Sequence, residues 1–209
     1  MRTGRPRSFD REEALERAIA VFWEHGYDAT SIALLTEQLG IGAPSLYAAF
    51  GDKRTLFFEA VDRYLRTYGA FTQQALDEEP VGRDAVERLL REAAAAYTRP
   101  DRPPGCLLIT AATNCSPQSA DVAAQLRELR AVGARALEKK IAAAAKAGEI
   151  PARTDARALA SFYGAVIQGM SAQARDGAAR KDLEHIGAAA LRAWPSADKP
   201  GLITGRTAW

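Results

Sequence analysis

Residues 30–53 read Thr-Ser-Ile-Ala-Leu-Leu-Thr-Glu-Gln-Leu-Gly-Ile-Gly-Ala-Pro-Ser-Leu-Tyr-Ala-Ala-Phe-Gly-Asp-Lys. The spacing predicts a helix, a glycine turn and a very short second helix. Thr30 or Ser31 can cap the first helix, its side-chain oxygen accepting from an otherwise unpaired backbone N–H. Ile32, Leu35 and Leu39 recur at helical spacing and bury one face. Gly40 stands where a helix closes in the left-handed region, which glycine enters without a Cβ penalty. Gly42 permits a second turn, and Pro44 fits the opening of a helix, where its missing N–H is not needed. Leu46 and Phe50 then anchor the second helix and leave Ser45, Tyr47 and Ala48 outward. A helix this short, set at a steep angle by a glycine turn, suits insertion into the DNA major groove.

Working outward, Ser8 or Asp10 caps a helix to about His25, with Leu15, Ala18, Ile19 and Phe22 as its buried stripe. Downstream, Asp52 caps a long fourth helix that carries Leu56, Phe57, Ala60, Val61, Tyr64, Leu65 and Tyr68 and fades near Leu76. Further helices are expected over residues 84–97, 106–115, 120–147, 155–175 and 181–193. The prolines Pro100, Pro103 and Pro104 force a loop before the short one. Nothing alternates as a strand would. The expected class is therefore all-α, with nine helices in three parts. Residues 1–52 form an arm and a three-helix helix-turn-helix domain, 53–195 a larger helical domain, and 196–209 a tail. The boundary falls within the fourth helix, which would carry a tilt between the parts where a flexible linker would absorb it.

At 209 residues and 47% hydrophobic the chain can build real cores. It carries no apolar run long enough to cross a bilayer, and its Met-Arg-Thr-Gly-Arg-Pro-Arg start lacks the apolar segment of a secretory signal. Two cysteines make no disulfide framework, which fits the cytoplasm. A net charge of +2 argues only weakly for nucleic acid. Placement says more: Arg2, Arg5 and Arg7 lie in an arm without an acid, able to follow phosphates or enter the minor groove, or else to serve as a solubilising tail.

In the headpiece, Tyr47 can reach a phosphate through its hydroxyl, and Lys53 starts the fourth helix, where charge and free N–H groups both suit one. Thr30 and Ser31 can do the same from the second helix. Base reading falls to Ala43, Pro44, Ser45 and Ala48, which offer mainly methyl contacts to thymine and one hydroxyl. Specificity would then lean on DNA shape and on the arm.

Residues 8–60 resemble the TetR family of one-component transcriptional regulators, through Ala14 to Phe22, Gly26-Tyr27, Thr30, Leu39-Gly40, Leu46-Tyr47, Phe50 and Lys53. The chain departs from the family at Ala48 and Ala49, where larger polar or aromatic residues are common. The resemblance implies a DNA-reading headpiece on a helical ligand and dimer domain, pairing as a homodimer through its last two helices. Leu159, Tyr163, Val166, Ile167, Met170, Ile186, Ala190 and Trp194 are the expected dimer residues, interleaved with small ones that permit close approach. By composition the tail reads as a floppy segment, or else its Leu202, Ile203 and Trp209 pack across the partner.

The family's pocket lies among the fourth to eighth helices. That makes Tyr64, Tyr68, Tyr97, Cys106, Ile109, Thr113, Phe162 and Gln168 the candidate lining, suited to an apolar or aromatic effector. Gly105-Cys106-Leu107, with Cys115 further on, resembles a TetR subgroup that includes sensors of electrophiles and oxidants. Cys106 is expected in the first turn of its helix, where free N–H groups favour a thiolate, or else as a small buried residue capping the pocket floor. A Cys106–Cys115 bond is not expected, since on one helix the pair would face apart at about 13 Å. His25 and His185 show no metal-ligand spacing, no phosphate loop is present, and no catalytic constellation stands out. No cofactor, no membrane partner and no enzymatic activity are expected. The reading is a ligand- or redox-responsive transcriptional regulator, a repressor that a small molecule releases from double-stranded operator DNA. The alternative is an effector-binding or thiol-sensing protein with a vestigial headpiece.

Overall fold

The structure, a computed structural model, describes residues 9–113 and 115–196. Arg2, Arg5, Arg7 and the tail expected to reach a partner lie outside the described residues. Within them the chain forms ten α-helices and one 3-10 turn, and no strand.

The first helix, α1 (Arg11–His25), starts at Asp10, whose carboxylate accepts the amides of Glu12 and Glu13, and stops at Gly26 with φ of 77°. Then come α2 (Ile32–Leu39), α3 (Ala43–Phe50) and α4 (Lys53–Arg66). The expected long fourth helix is two helices. Thr67 leaves helical geometry at φ −118° and ψ −84°, its hydroxyl donates back to Arg63 O, and the Gly69 amide closes onto Tyr64 O at 2.9 Å. A Cβ on Gly69 would come 3.0 Å from the Tyr64 ring, so a larger residue here would have to push that ring aside. The chain restarts as α5 (Phe71–Glu78). This break overturns the picture of one rigid helix spanning both parts.

The remaining elements are α6 (Gly82–Tyr97), α7 (Leu107–Thr113), the 3-10 turn Pro117–Ser119, α8 (Ala120–Lys146), α9 (Ala156–Arg175) and α10 (Arg180–Leu191). Two apolar cores result. One joins α1 to α4 with Leu107, Leu108 and Ala111 of α7 and Val122 and Leu126 of α8. The other joins α5, α6, α9, α10 and the rest of α8. Cys106 packs against both.

The headpiece core is thus completed by segments from far along the chain. Full burial of Leu107 alone contributes roughly 2 kcal/mol. Two polar clamps reinforce the join. Asp28, between α1 and α2, accepts the Ser116 amide at 2.5 Å and the Ser119 hydroxyl. Arg54, in the first turn of α4, donates to Asp121 at 2.8 Å and Gln125 at 3.1 Å on α8.

Candidate nucleic-acid interface and effector site

Ser31 caps α2, its hydroxyl accepting the Leu34 amide at 3.0 Å. Gly40 ends that helix at φ 67°, in the left-handed region, and the Gly40 and Ile41 amides return to Glu37 O and Thr36 O. Gly42 opens α3 without a side-chain cap, and Pro44 sits in the first turn, where its missing donor costs nothing. Leu46 and Phe50 are buried beneath. Arg11 braces α3 from behind. Its Nε donates to Ala49 O at 3.3 Å, its guanidinium lies 4.5 Å from the Phe50 ring centroid, and its fork grips Glu59 of α4 at 2.6 and 2.7 Å.

What faces outward is Ser31, Pro44, Ala48 and Tyr47, with Tyr47 47% exposed; Ala43 and Ser45 are half-buried. Thr30 departs from expectation. It is fully buried, and its hydroxyl donates to Gly26 O at 2.6 Å, closing the α1–α2 turn, so its one proton is not free for a phosphate. Lys53 is half-buried, with its ammonium 4.3 Å from the Tyr27 ring centroid. Burial lowers its pKa against the opposing pull of Asp28. Arg5 and Arg7 lie outside the described residues.

The expected effector residues divide. Tyr64 and Tyr97 are buried, and both hydroxyls meet the Cys106 side chain. Burial first, then the neighbouring sulfur, pushes both phenols well above their ordinary range. Ile109 is half-buried on α7. Tyr68 is half-buried beside this group, its hydroxyl donating to Glu16 at 2.8 Å and its ring 4.6 Å from the Arg102 guanidinium.

Thr113, Phe162 and Gln168 line nothing inside the subunit. All three are exposed, because their positions on α7 and α9 turn them away from the core. Cys106 is not in the first turn but immediately precedes α7, with its amide donating to Ser171 Oγ at 2.9 Å. Cys115 is half-buried, its thiol against Ala111 O at 3.2 Å, and burial raises its pKa.

The expected dimer residues divide as well. Leu159, Tyr163, Met170 and Ala190 are buried within their own subunit, Tyr163 and Met170 completely, and so present no surface to a partner. Val166, Ile167, Ile186 and Trp194 are half-buried against the same core. The outward face of α9 is instead Ser161, Phe162, Ala165, Gln168 and Ala172, and Cβ atoms built on Gly164 and Gly169 would meet nothing within 4 Å. Apart from Phe162, the large apolar residues of this helix mark its inside.

Sequence reasoning missed Asp28, Arg54 and Ser171. Their partners lie 65 to 91 residues away, and no local pattern announces such contacts. Burial pushes the Asp28 carboxyl up, but the bonds from Ser119 and Ser116 and the charge of Lys53 outweigh it and hold its pKa below the usual value. Among the described residues no three His, Cys, Asp or Glu side chains gather as a metal site, and no helix is long and apolar enough to cross a membrane.

Comparison with known proteins agrees with this geometry. Residues 14–60 match the family described as "Bacterial regulatory proteins, tetR family", and residues 82–189 match "Tetracyclin repressor-like, C-terminal domain". The HTH-type transcriptional repressor ComR of Escherichia coli K12 is 40% identical over 193 residues, covering 92% of each chain. BdcR, an HTH-type transcriptional repressor of the same strain, is 37% identical over 175 residues and 83% of each chain. A cysteine-substituted TetR family transcriptional regulator, CifR, solved with 26-base-pair double-stranded operator DNA, superposes at a TM-score of 0.87. It is 43% identical, over 91% of this chain and 100% of that one.

Proposed function

The chain belongs to the TetR family of bacterial regulators, and from that membership we propose a repressor that leaves its operator when a small molecule reaches the Cys106 region. It is a DNA-binding transcriptional regulator, and its relatives are regulators rather than enzymes. The observation that carries the DNA reading is the exposed edge of α3, with Pro44, Tyr47 and Ala48 outward over the buried anchors Leu46 and Phe50.

In this reading Ala43, Pro44, Ser45 and Ala48 face base edges, while Tyr47, Ser31 and the amino end of α4 with Lys53 take phosphates. Arg5 and Arg7 add phosphate or minor-groove contacts from the arm. Residues 1–52 act as the headpiece and 53–195 as the effector and dimer part of a cytoplasmic homodimer. Two headpieces then read half-sites about one helical turn apart. The dimer face is the small-residue side of α9, where close helix approach is sterically open.

The effector reading rests on the meeting of Tyr64, Tyr97 and Cys106, an aromatic and largely apolar lining. A signal arising there moves α7, which packs on α1, and reaches the headpiece through the Asp28 and Arg54 clamps. Thiol chemistry at Cys106 is one form such a signal takes. The test is binding to the DNA upstream of the protein's own gene, before and after treatment with a quinone or hypochlorite, in wild type and Cys106→Ser. Release of wild type alone supports a thiol signal. Equal release of both, or of neither, leaves a reversible apolar ligand. No sequence-specific DNA binding at all refutes the regulator reading.

A further inference from the structure

Among the described residues two buried side chains hold hydrogen-bonding atoms without a protein partner: the Trp23 indole Nε1 and the Thr110 Oγ1. Trp23 is 3% exposed and Thr110 5%. Buried polar groups are nearly always paired, and each one left unpaired costs on the order of 1–3 kcal/mol. Two such donors in one region can share a single acceptor.

They do share a region. The Trp23 ring meets Tyr64 edge-on with centroids 4.8 Å apart, and the Tyr64 hydroxyl meets the Cys106 side chain. Thr110 stands one turn beyond Cys106, its amide on Cys106 O at 2.9 Å. Helices α1 and α7 run in contact here, a Cβ on Gly26 falling 3.8 Å from Ala111 Cα. Arg175 ties the same junction from α9, its guanidinium on Trp23 O at 3.4 Å and its stem beside Gly105.

We propose that a small neutral molecule with a hydrogen-bond-accepting oxygen, such as a ketone, binds between α1, α4 and α7, held by the indole N–H of Trp23 and the hydroxyl of Thr110. The indole and the Thr110 hydroxyl carry no charge, and burial keeps the Tyr64 and Tyr97 phenols protonated, so the groups that would touch the molecule offer hydrogen bonds rather than a counter-charge. An oxygen acceptor satisfies an indole N–H, which can only donate, and the Thr110 hydroxyl rotates to donate beside it. This deepens the effector reading given above and rests on it. It adds that the effector touches α1 itself, the helix on which α2 and α3 are mounted, so a ligand acts on the headpiece directly.

The test uses the full-length protein with cyclohexanone and its hydrocarbon isostere methylenecyclohexane as probes. Nitrogen-labelled tryptophan gives an indole N–H resonance assignable to Trp23 by Trp23→Phe, with Trp194 and Trp209 as internal references. Cyclohexanone is expected to shift the Trp23 indole proton, and methylenecyclohexane to leave it in place. Thr110→Val, which preserves shape, is expected to weaken cyclohexanone binding about fivefold while changing methylenecyclohexane binding by less than about twofold. An unmoved Trp23 resonance at saturating ketone, an equal shift by both probes, or unchanged ketone affinity in Thr110→Val would each overturn the proposal. DNA binding measured without any probe stands apart. Its loss with the ketone response intact counts against the regulator reading alone, and its retention without a ketone response against this inference alone.

Discussion

Replacing Asp28 by alanine removes the carboxylate that ties the α1–α2 turn to the start of α8. Two hydrogen bonds go with it, from the Ser116 amide and the Ser119 hydroxyl, and Lys53 loses its nearby counter-charge. Charge-assisted bonds of this kind are worth about 1.5–3 kcal/mol each when desolvated. Asp28 is half-buried, so the lower end applies and the expected loss is about 2–4 kcal/mol. For a domain of this size that corresponds to a fall in Tm of about 4–16 °C. Asp28→Asn keeps one accepting oxygen and should lose about half as much. The direction with pH follows from the lowered carboxyl pKa. The contribution is fully present above the ordinary aspartate value near 3.9 and is lost as pH falls through the lower folded value. Urea unfolding of wild type and both variants at pH 7 and pH 3 provides the measure. The gap between wild type and Asp28→Ala should narrow at the lower pH. A difference below about 0.5 kcal/mol at pH 7, or a gap that widens in acid, would refute the clamp.

Other perturbations follow from the same contacts. Tyr47→Ala should weaken operator binding about tenfold across operator variants alike, with an unchanged salt slope, because it removes a neutral phosphate contact; gel-shift titrations would register this. Gly105→Ala places a Cβ within 2.8 Å of the Ser171 backbone and hydroxyl oxygens at a φ of 77°, and should cost about 2–4 kcal/mol in thermal or urea unfolding. Thr110→Val, by removing an unpaired buried hydroxyl, should leave the unliganded protein as stable or up to about 1 kcal/mol more stable; a loss above about 1 kcal/mol would mean that the hydroxyl has a partner. Ala165→Glu on the outward face of α9 should yield monomers in sedimentation, whereas Met170→Glu should unfold the subunit because Met170 is fully buried in it.

The headpiece was legible because its signals are local. Asp10, Ser31, Gly40 and Pro44 each act within four residues, and all hold the positions their chemistry implies. Thr30 and Ser31 looked interchangeable as caps; only the tertiary turn decides that one oxygen faces Gly26 and the other the helix. The break after Arg66 was invisible, since apolar periodicity continues through Tyr68 and the interruption comes from Gly69 packing on Tyr64. On α9 the apolar stripe divides: Leu159, Tyr163 and Met170 are covered by their own chain, while Val166 and Ile167 stay half-buried. Periodicity reports that a face is covered and is silent on whether the cover is the same chain. The junction of Tyr64, Tyr97 and Cys106 could be suspected from residue type, whereas Trp23 and Thr110 carry no sequence sign that their polar atoms end up alone.

The reach of α7 and early α8 into the first core has a consequence for modularity. A headpiece cut from this chain after α4 would leave uncovered the surface that meets Leu107, Leu108, Ala111, Val122 and Leu126. Exchange of DNA specificity between relatives therefore cannot proceed by swapping the first sixty residues as a cassette. The donor's residues must fit this host's α7 face and supply an acceptor at position 28 for Ser116 and Ser119. Operator preference in such a protein is free to drift on the outer edge of α3, whereas the inner faces of α1 and α4 are bound to change only in step with a segment some fifty residues or more downstream.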